Sequence, residues 1–226
     1  MQFKIYDVLA SLIPGTLVLG IILITVLTTC DSRDALINHM ASVKDFSAII
    51  TSMFLVVSYI IGYIVHALGS WFEPFLWFTW KGRPSELLLK NKTKRLGVVG
   101  AEAILKHLVD YCSSKNIVIN NIDELTRNDY RILFQVAKTI AYSKTDGSIK
   151  ERMTEFSNSY IFSRNILISI FVVFISSIVW VISGYIAWWV ILVLFVIQLL
   201  LWFRCRDKAI YYSREILTAA YYLNDK

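Results

Sequence analysis

Four ionisable side chains lie within or beside long apolar segments, where such groups are costly and commonly serve a function. They are Asp7, His66, Glu73 and Arg164. Asp7 and Arg164 could form an ion pair between two helices, and His66 could join them through Glu73. A cluster of this kind either holds helices together or passes a proton. The structural role is favoured, because no second layer of ionisable residues continues the path along the apolar segments.

The remaining polar residues of these segments indicate helix packing. Ser11 is followed four residues later by Gly15, and Ser58 is followed in the same way by Gly62. Small residues at this interval let two membrane helices approach closely. Gln198 is an isolated polar residue, and we expect it to form a hydrogen bond between helices.

Pro14 interrupts the first apolar segment. It has no backbone amide hydrogen, so the carbonyl of Ala10 loses its helical partner. The Pro14-Gly15 pair should therefore kink the helix, and it is a candidate hinge. A bend that only serves packing is the alternative.

The longest apolar segment covers residues 165–203, which contain no charged side chain. One helix of this length would measure about 58 Å, roughly twice the hydrocarbon thickness of a bilayer. The segment must therefore fold back on itself, and Ser183-Gly184 marks the reversal. The sequence predicts a second transmembrane hairpin over 161–204, with spans at about 165–182 and 186–203.

Two further apolar segments, at about 8–30 and 46–72, predict a first transmembrane hairpin within 1–80. The fold class that results is an all-α integral membrane protein with four transmembrane helices. A helical cytoplasmic domain at 81–160 separates the second and third spans.

The distribution of the 23 lysine and arginine residues predicts the orientation. Only Arg33 and Lys44 lie in the short loop 31–45, whereas 14 lie in 81–160. Positively charged flanking segments stay in the cytoplasm, so both termini are predicted there. Direct nucleic-acid binding is not expected, because nine acidic residues are mixed with the 14 basic ones.

Residues 81–160 carry two apolar stripes with helical spacing. The stripes are Ala101, Ile104, Leu105, Leu108 and Cys112, and then Tyr130, Phe134, Ala137, Ile140 and Ala141. About 80 residues give a marginal core. The domain either closes on itself or is covered by extended membrane helices, a second subunit or a partner protein.

The third span should be the end of a helix of about 34 residues that begins with a capping box at Ser148. The fourth span should continue into a C-terminal helix, 205–226. Phe156, Tyr160 and Arg164 share one face of the third helix, and they could pack it against the first span near Asp7. The extended helices could link bilayer and cytoplasm mechanically, or they could simply anchor the domain.

Enzymatic chemistry is not indicated, because the chain carries none of the common catalytic motifs. The three histidines lie in three different regions, and no cysteine and histidine cluster has metal-binding spacing. The sequence therefore predicts a non-enzymatic protein with no metal or cofactor.

Several short motifs resemble a known group of proteins. They are Tyr6-Asp7, Ile13-Pro14-Gly15, Phe156, Tyr160 and Arg164-Asn165. With the four-span topology, they resemble small bacterial inner-membrane proteins of antiphage defence systems, closest in kind to the membrane subunit of the Kiwa system. The resemblance implies an oligomeric sensor that holds a soluble effector at the cytoplasmic face.

Three functions are consistent with the sequence. The first is a homo-oligomeric sensor or scaffold that recruits a cytosolic protein through 81–160 and the C-terminal helix. The second is a membrane effector that opens a pore and depolarises the cell. A pore needs polar residues at several depths of a span, and these are sparse here. The third is an accessory protein for assembly or transport.

Overall fold

The computed structural model of the chain describes residues 5–29, 47–90, 100–120, 122–143 and 147–224, and the regular elements within these ranges are helical. The helices are α1 (Ile5–Thr29), α2 (Ser47–Thr79), α3 (Pro84–Lys90), α4 (Ala101–Ser114), a 3-10 turn (Ile122–Glu124), α5 (Arg127–Ser143), α6 (Gly147–Ile182) and α7 (Trp189–Asn224).

Four of these helices, α1, α2, α6 and α7, are long and apolar enough to cross a membrane. This confirms the prediction of four such segments. Helices α6 and α7 have 36 residues each and are about 54 Å long, well beyond the ~30 Å of a hydrocarbon core. The predicted continuous helices after residue 148 and through residue 205 are therefore confirmed.

The predicted reversal after the third span is also confirmed. Helix α6 ends at Ile182, and Gly184 has a positive φ of 78°. The amide of Gly184 donates to Val181 O (3.0 Å) and that of Tyr185 to Trp180 O (2.9 Å), which is the Schellman arrangement that ends a helix. Helix α7 begins at Trp189, three residues later than predicted, because the residues after the cap form the connection.

The chain divides into two compact units. The first unit consists of Met1–Phe72 and Ile161–Cys205, and the second consists of Glu73–Tyr160 and Arg206–Lys226. The second unit thus combines the predicted cytoplasmic domain with the C-terminal helix. It also includes the end of α2, which continues seven residues past the predicted limit at Phe72.

The second unit has a core to which five helices contribute. Its fully buried members include Ile104, Leu108, Leu133, Ile140, Met153, Ile216 and Leu217. The predicted stripe of α4 is the set of residues that α4 buries. Helices α6 and α7 supply Met153 and Ile216, so the extended helices of the same chain help to close this core.

The start of α5 is fixed by a capping arrangement that was not predicted from the sequence. The backbone amide of Thr126 donates to Asp129 Oδ2 at 2.8 Å, and the hydroxyl of Thr126 donates to the same oxygen at 2.7 Å. These hydrogen bonds, the backbone one above all, lower the pKa of Asp129. The capping box predicted at Ser148 is wrong, because α6 begins at Gly147 and Ser148 lies within the helix.

Candidate functional site

Helices α1 and α2 cross with their backbones in contact. A Cβ atom added to Gly15 would lie 1.7 Å from the carbonyl oxygen of Ser58, and one added to Gly62 would lie 1.8 Å from that of Ser11. No larger side chain fits at either glycine without moving a helix. The structure therefore brings together the four small residues that the spacing had singled out.

Helix α6 donates two hydrogen bonds to the backbone of α1 at the proline. Asn165 Nδ2 lies 3.4 Å from Ala10 O, and Ser169 Oγ lies 3.1 Å from Pro14 O. The carbonyl of Ala10 is the one that Pro14 deprives of its helical donor, so the amide of Asn165 occupies the vacant acceptor. Asn165 and Ser169 are both buried, so these bonds are shielded from solvent.

The same amide of Asn165 takes part in a polar cluster with α2. Both Asn165 Nδ2 and Arg164 Nη2 lie 3.4 Å from His66 Nδ1. Amide and guanidinium nitrogens can only donate, so His66 Nδ1 is the acceptor in these two contacts. A Cβ atom on Gly69 would lie 2.9 Å from Arg164 Nε, so this glycine leaves room for the guanidinium group.

The other two members of the predicted ionisable cluster are placed differently. Asp7 lies in α1, but its side chain is outside the described residues, so its proposed ion pair with Arg164 stays a prediction. Glu73 belongs to the second unit, where its Oε1 accepts a hydrogen bond of 2.9 Å from the hydroxyl of Tyr160.

Phe156 and Tyr160 have their described ring contacts within the second unit. The ring of Tyr160 stacks on that of Tyr212 with centroids 6.4 Å apart, and the ring of Phe156 lies 6.5 Å from that of Tyr211. Both partners are on α7, so these two aromatic pairs join α6 to the C-terminal helix.

Polar side chains of the first unit form hydrogen bonds between helices. Gln198 Nε2 lies 3.4 Å from Leu167 O, which is a hydrogen bond between α7 and α6. In the second unit, burial raises the pKa of the Cys112 thiol, which keeps it protonated and a poor nucleophile. Within the described residues, no three His, Cys, Asp or Glu side chains are grouped to hold a metal ion.

Two residues of this site, Asn165 and Gly69, were not predicted from the sequence as members of the cluster or of the packing set, whereas Ser169 was expected to allow close helix packing. Asn165 was named only as part of the Arg164-Asn165 motif that resembles the antiphage defence proteins. A local signal did exist, because a proline inside an apolar helix requires a donor elsewhere, and Asn165 with Ser169 forms an i, i+4 polar pair on the third helix.

Comparison with known proteins gives no match for this chain among protein-family models, curated proteins or solved structures.

Proposed function

We propose that this protein is a non-enzymatic, oligomeric membrane sensor or scaffold that recruits and controls a cytosolic effector in bacterial antiphage defence. It resides in the inner membrane, and the distribution of basic residues favours a cytoplasmic location of both termini. The first unit is the membrane part, and the second unit is the part that binds the effector.

One observation carries this proposal. The limits between the two units, at residues 72/73, 160/161 and 205/206, fall inside α2, α6 and α7. Three of the four apolar helices therefore run without a break into a unit that has a core of its own. A change in the tilt or packing of these helices in the bilayer would reach the effector-binding unit through continuous hydrogen-bonded backbone.

The distribution of polar groups favours a scaffold over a pore. The exposed side of α2 is largely apolar, with Ile49, Met53, Val56, Ile60 and Ile64 each more than half exposed. Its exposed Ser52 and Ser70 hydroxyls donate to carbonyls of the same helix. The buried hydroxyl and amide groups of α6 also donate to helix carbonyls. A water-filled path would need polar groups on exposed faces at several depths.

An exposed apolar loop in the second unit is suited to contact with the effector. Val118 is 92% exposed and Ile122 is 41% exposed, close to the turn at Asn116. Interface cores are apolar, and Val118 can be replaced with little effect on folding because it is almost fully exposed.

Expression of the chain alone and with its neighbouring genes tests the function. The scaffold predicts an unchanged membrane potential when the chain is expressed alone, and phage resistance or toxicity that requires a neighbouring gene. Val118→Asp should abolish the resistance at unchanged membrane abundance, whereas Ala103→Asp, at an exposed position of α4, should retain it. Depolarisation by the chain alone would support the pore instead.

A further inference from the structure

The second unit contains a cleft of about 950 Å³ where α2 ends. Lys81, Arg83, Arg127 and Arg131 line it together with the aromatic rings of Trp77 and Phe78. A smaller cavity of about 180 Å³ also has Trp77, Arg83 and Arg131 in its wall. Four cationic side chains, two from the turn after α2 and two from α5, thus share one concave surface.

The backbone at the end of α2 holds the first two cations in place. Lys81 has a φ of 64°, its amide donates to Phe78 O, and the amide of Gly82 donates to Trp77 O at 2.9 Å. This is a Schellman cap with lysine at the position that glycine usually occupies. The guanidinium carbon of Arg83 lies 4.5 Å from the centroid of the Trp77 ring, which restrains the side chain.

The charge of the cleft suits an anion. Glu86 is the carboxylate among its lining residues, with Oε1 3.6 Å from Arg127 Nε. The side chain of Arg127 is 84% exposed, so this ion pair is weak and leaves the site with an excess of positive charge. Planar guanidinium groups bind the oxygens of phosphate and carboxylate groups in a bidentate manner, so phosphate is among the anions that fit.

The location of the cleft indicates where the phosphate comes from. On α2, the rings of Phe75 and Phe78 are 59% and 82% exposed, next to the cationic residues. Aromatic rings followed by basic residues at the end of an apolar helix are typical of the level of the lipid headgroups. We propose that this cleft binds the phosphate of an anionic phospholipid headgroup.

The test is a lipid titration of the full-length chain in mild detergent, with thermal unfolding as the readout. Phosphatidylglycerol is compared with zwitterionic phosphatidylcholine, and pyrophosphate serves as a soluble source of phosphate. The lipid concentration that gives half of the maximal shift in Tm measures apparent affinity. Phosphatidylglycerol should raise Tm, and the other two should have little effect.

The variant Arg83→Gln/Arg131→Gln should raise the half-maximal lipid concentration about 25-fold, since each cation near a membrane surface contributes about fivefold. Lys81→Gly separates binding from folding. Glycine is preferred in the cap, so Tm without lipid should not fall, yet lipid affinity should drop about fivefold. Lys106→Gln/Lys150→Gln removes the same charge at two exposed positions that do not line the cleft, and it should behave as the wild type.

Two results would overturn the proposal. An equal loss of lipid response in the cleft variant and in the Lys106/Lys150 control would show that net charge matters and the cleft does not. Stabilisation by pyrophosphate without any by phosphatidylglycerol would show that the cleft binds a soluble phosphate compound and not a lipid headgroup.

Discussion

The contact between α1 and α2 can be tested by adding one methyl group. In Gly15→Ala the new Cβ would begin 1.7 Å from Ser58 O, and ordinary contact requires about 3.4 Å. The helices must therefore separate by roughly 1.7 Å at this point. Such a shift would also strain the hydrogen bond of Ser169 Oγ to Pro14 O, the residue next to Gly15.

The expected decrease in the free energy of unfolding follows from the overpacking and from the strained hydrogen bond. Overpacking a well-packed site costs about 1–3 kcal/mol, and a hydrogen bond between membrane helices contributes about 0.6 kcal/mol. Gly15→Ala should therefore lower the free energy of unfolding by about 2–4 kcal/mol. For a chain of this size, this corresponds to a decrease in Tm of about 5–15 °C.

The assay is thermal unfolding of purified protein in mild detergent, and Gly20→Ala is the matched control on the same helix. No atom of the described residues lies within 4 Å of a Cβ added to Gly20, apart from its own helix backbone and chain neighbours. Alanine is the better helix former by about 1 kcal/mol, so Gly20→Ala should leave Tm unchanged or raise it slightly. If both variants melted at the wild-type temperature, the close crossing of α1 and α2 would be refuted.

Three further predictions concern the second unit and the turn between α6 and α7. Leu108→Ala, at a fully buried position, should lower the free energy of unfolding of the second unit by about 2–5 kcal/mol in denaturant titrations, whereas Val118→Ala should have almost no effect. Gly184→Ala places a Cβ in a left-handed conformation and should cost about 1–2 kcal/mol in the same titration, and an unchanged midpoint would contradict the Schellman cap. Hydrogen bonds lower the pKa of Asp129 on folding, so its contribution to stability is present above its unfolded pKa of about 4 and is lost as the pH falls through the folded value. The difference in Tm between the wild type and Asp129→Asn should therefore shrink below about pH 4, whereas Asp110→Asn, at an exposed position, should show no such difference at neutral pH.

The sequence was sufficient for the features that local patterns determine. The absence of charge over 165–203 predicted two apolar spans, and Ser183-Gly184 predicted the turn, because only glycine adopts the left-handed cap without strain. The apolar stripe of α4 predicted its buried face, since helical spacing alone decides which side chains share a face.

Features that depend on residues far apart in the chain could not be predicted from the sequence. The hydrogen bond of Asn165 to Ala10 joins residues 155 positions apart, and no local pattern states which amide meets which carbonyl. The cap of α5 was not predicted, because the position that glutamate or glutamine usually occupies in a capping box is taken by Asp129. The cationic cleft combines residues from the end of α2, the turn after it and α5. The spacing of residues along any one of these segments therefore does not predict it.

The most direct test of the proposed function is purification of the tagged full-length chain from its native host under gentle conditions, followed by mass photometry and mass spectrometry. The account predicts a homo-oligomer that retains a soluble protein in fixed stoichiometry. Val118→Asp should lose this protein and Ala103→Asp should keep it, with the oligomer intact in both. A homo-oligomer without a soluble partner that conducts ions in liposomes would contradict the account and establish the pore.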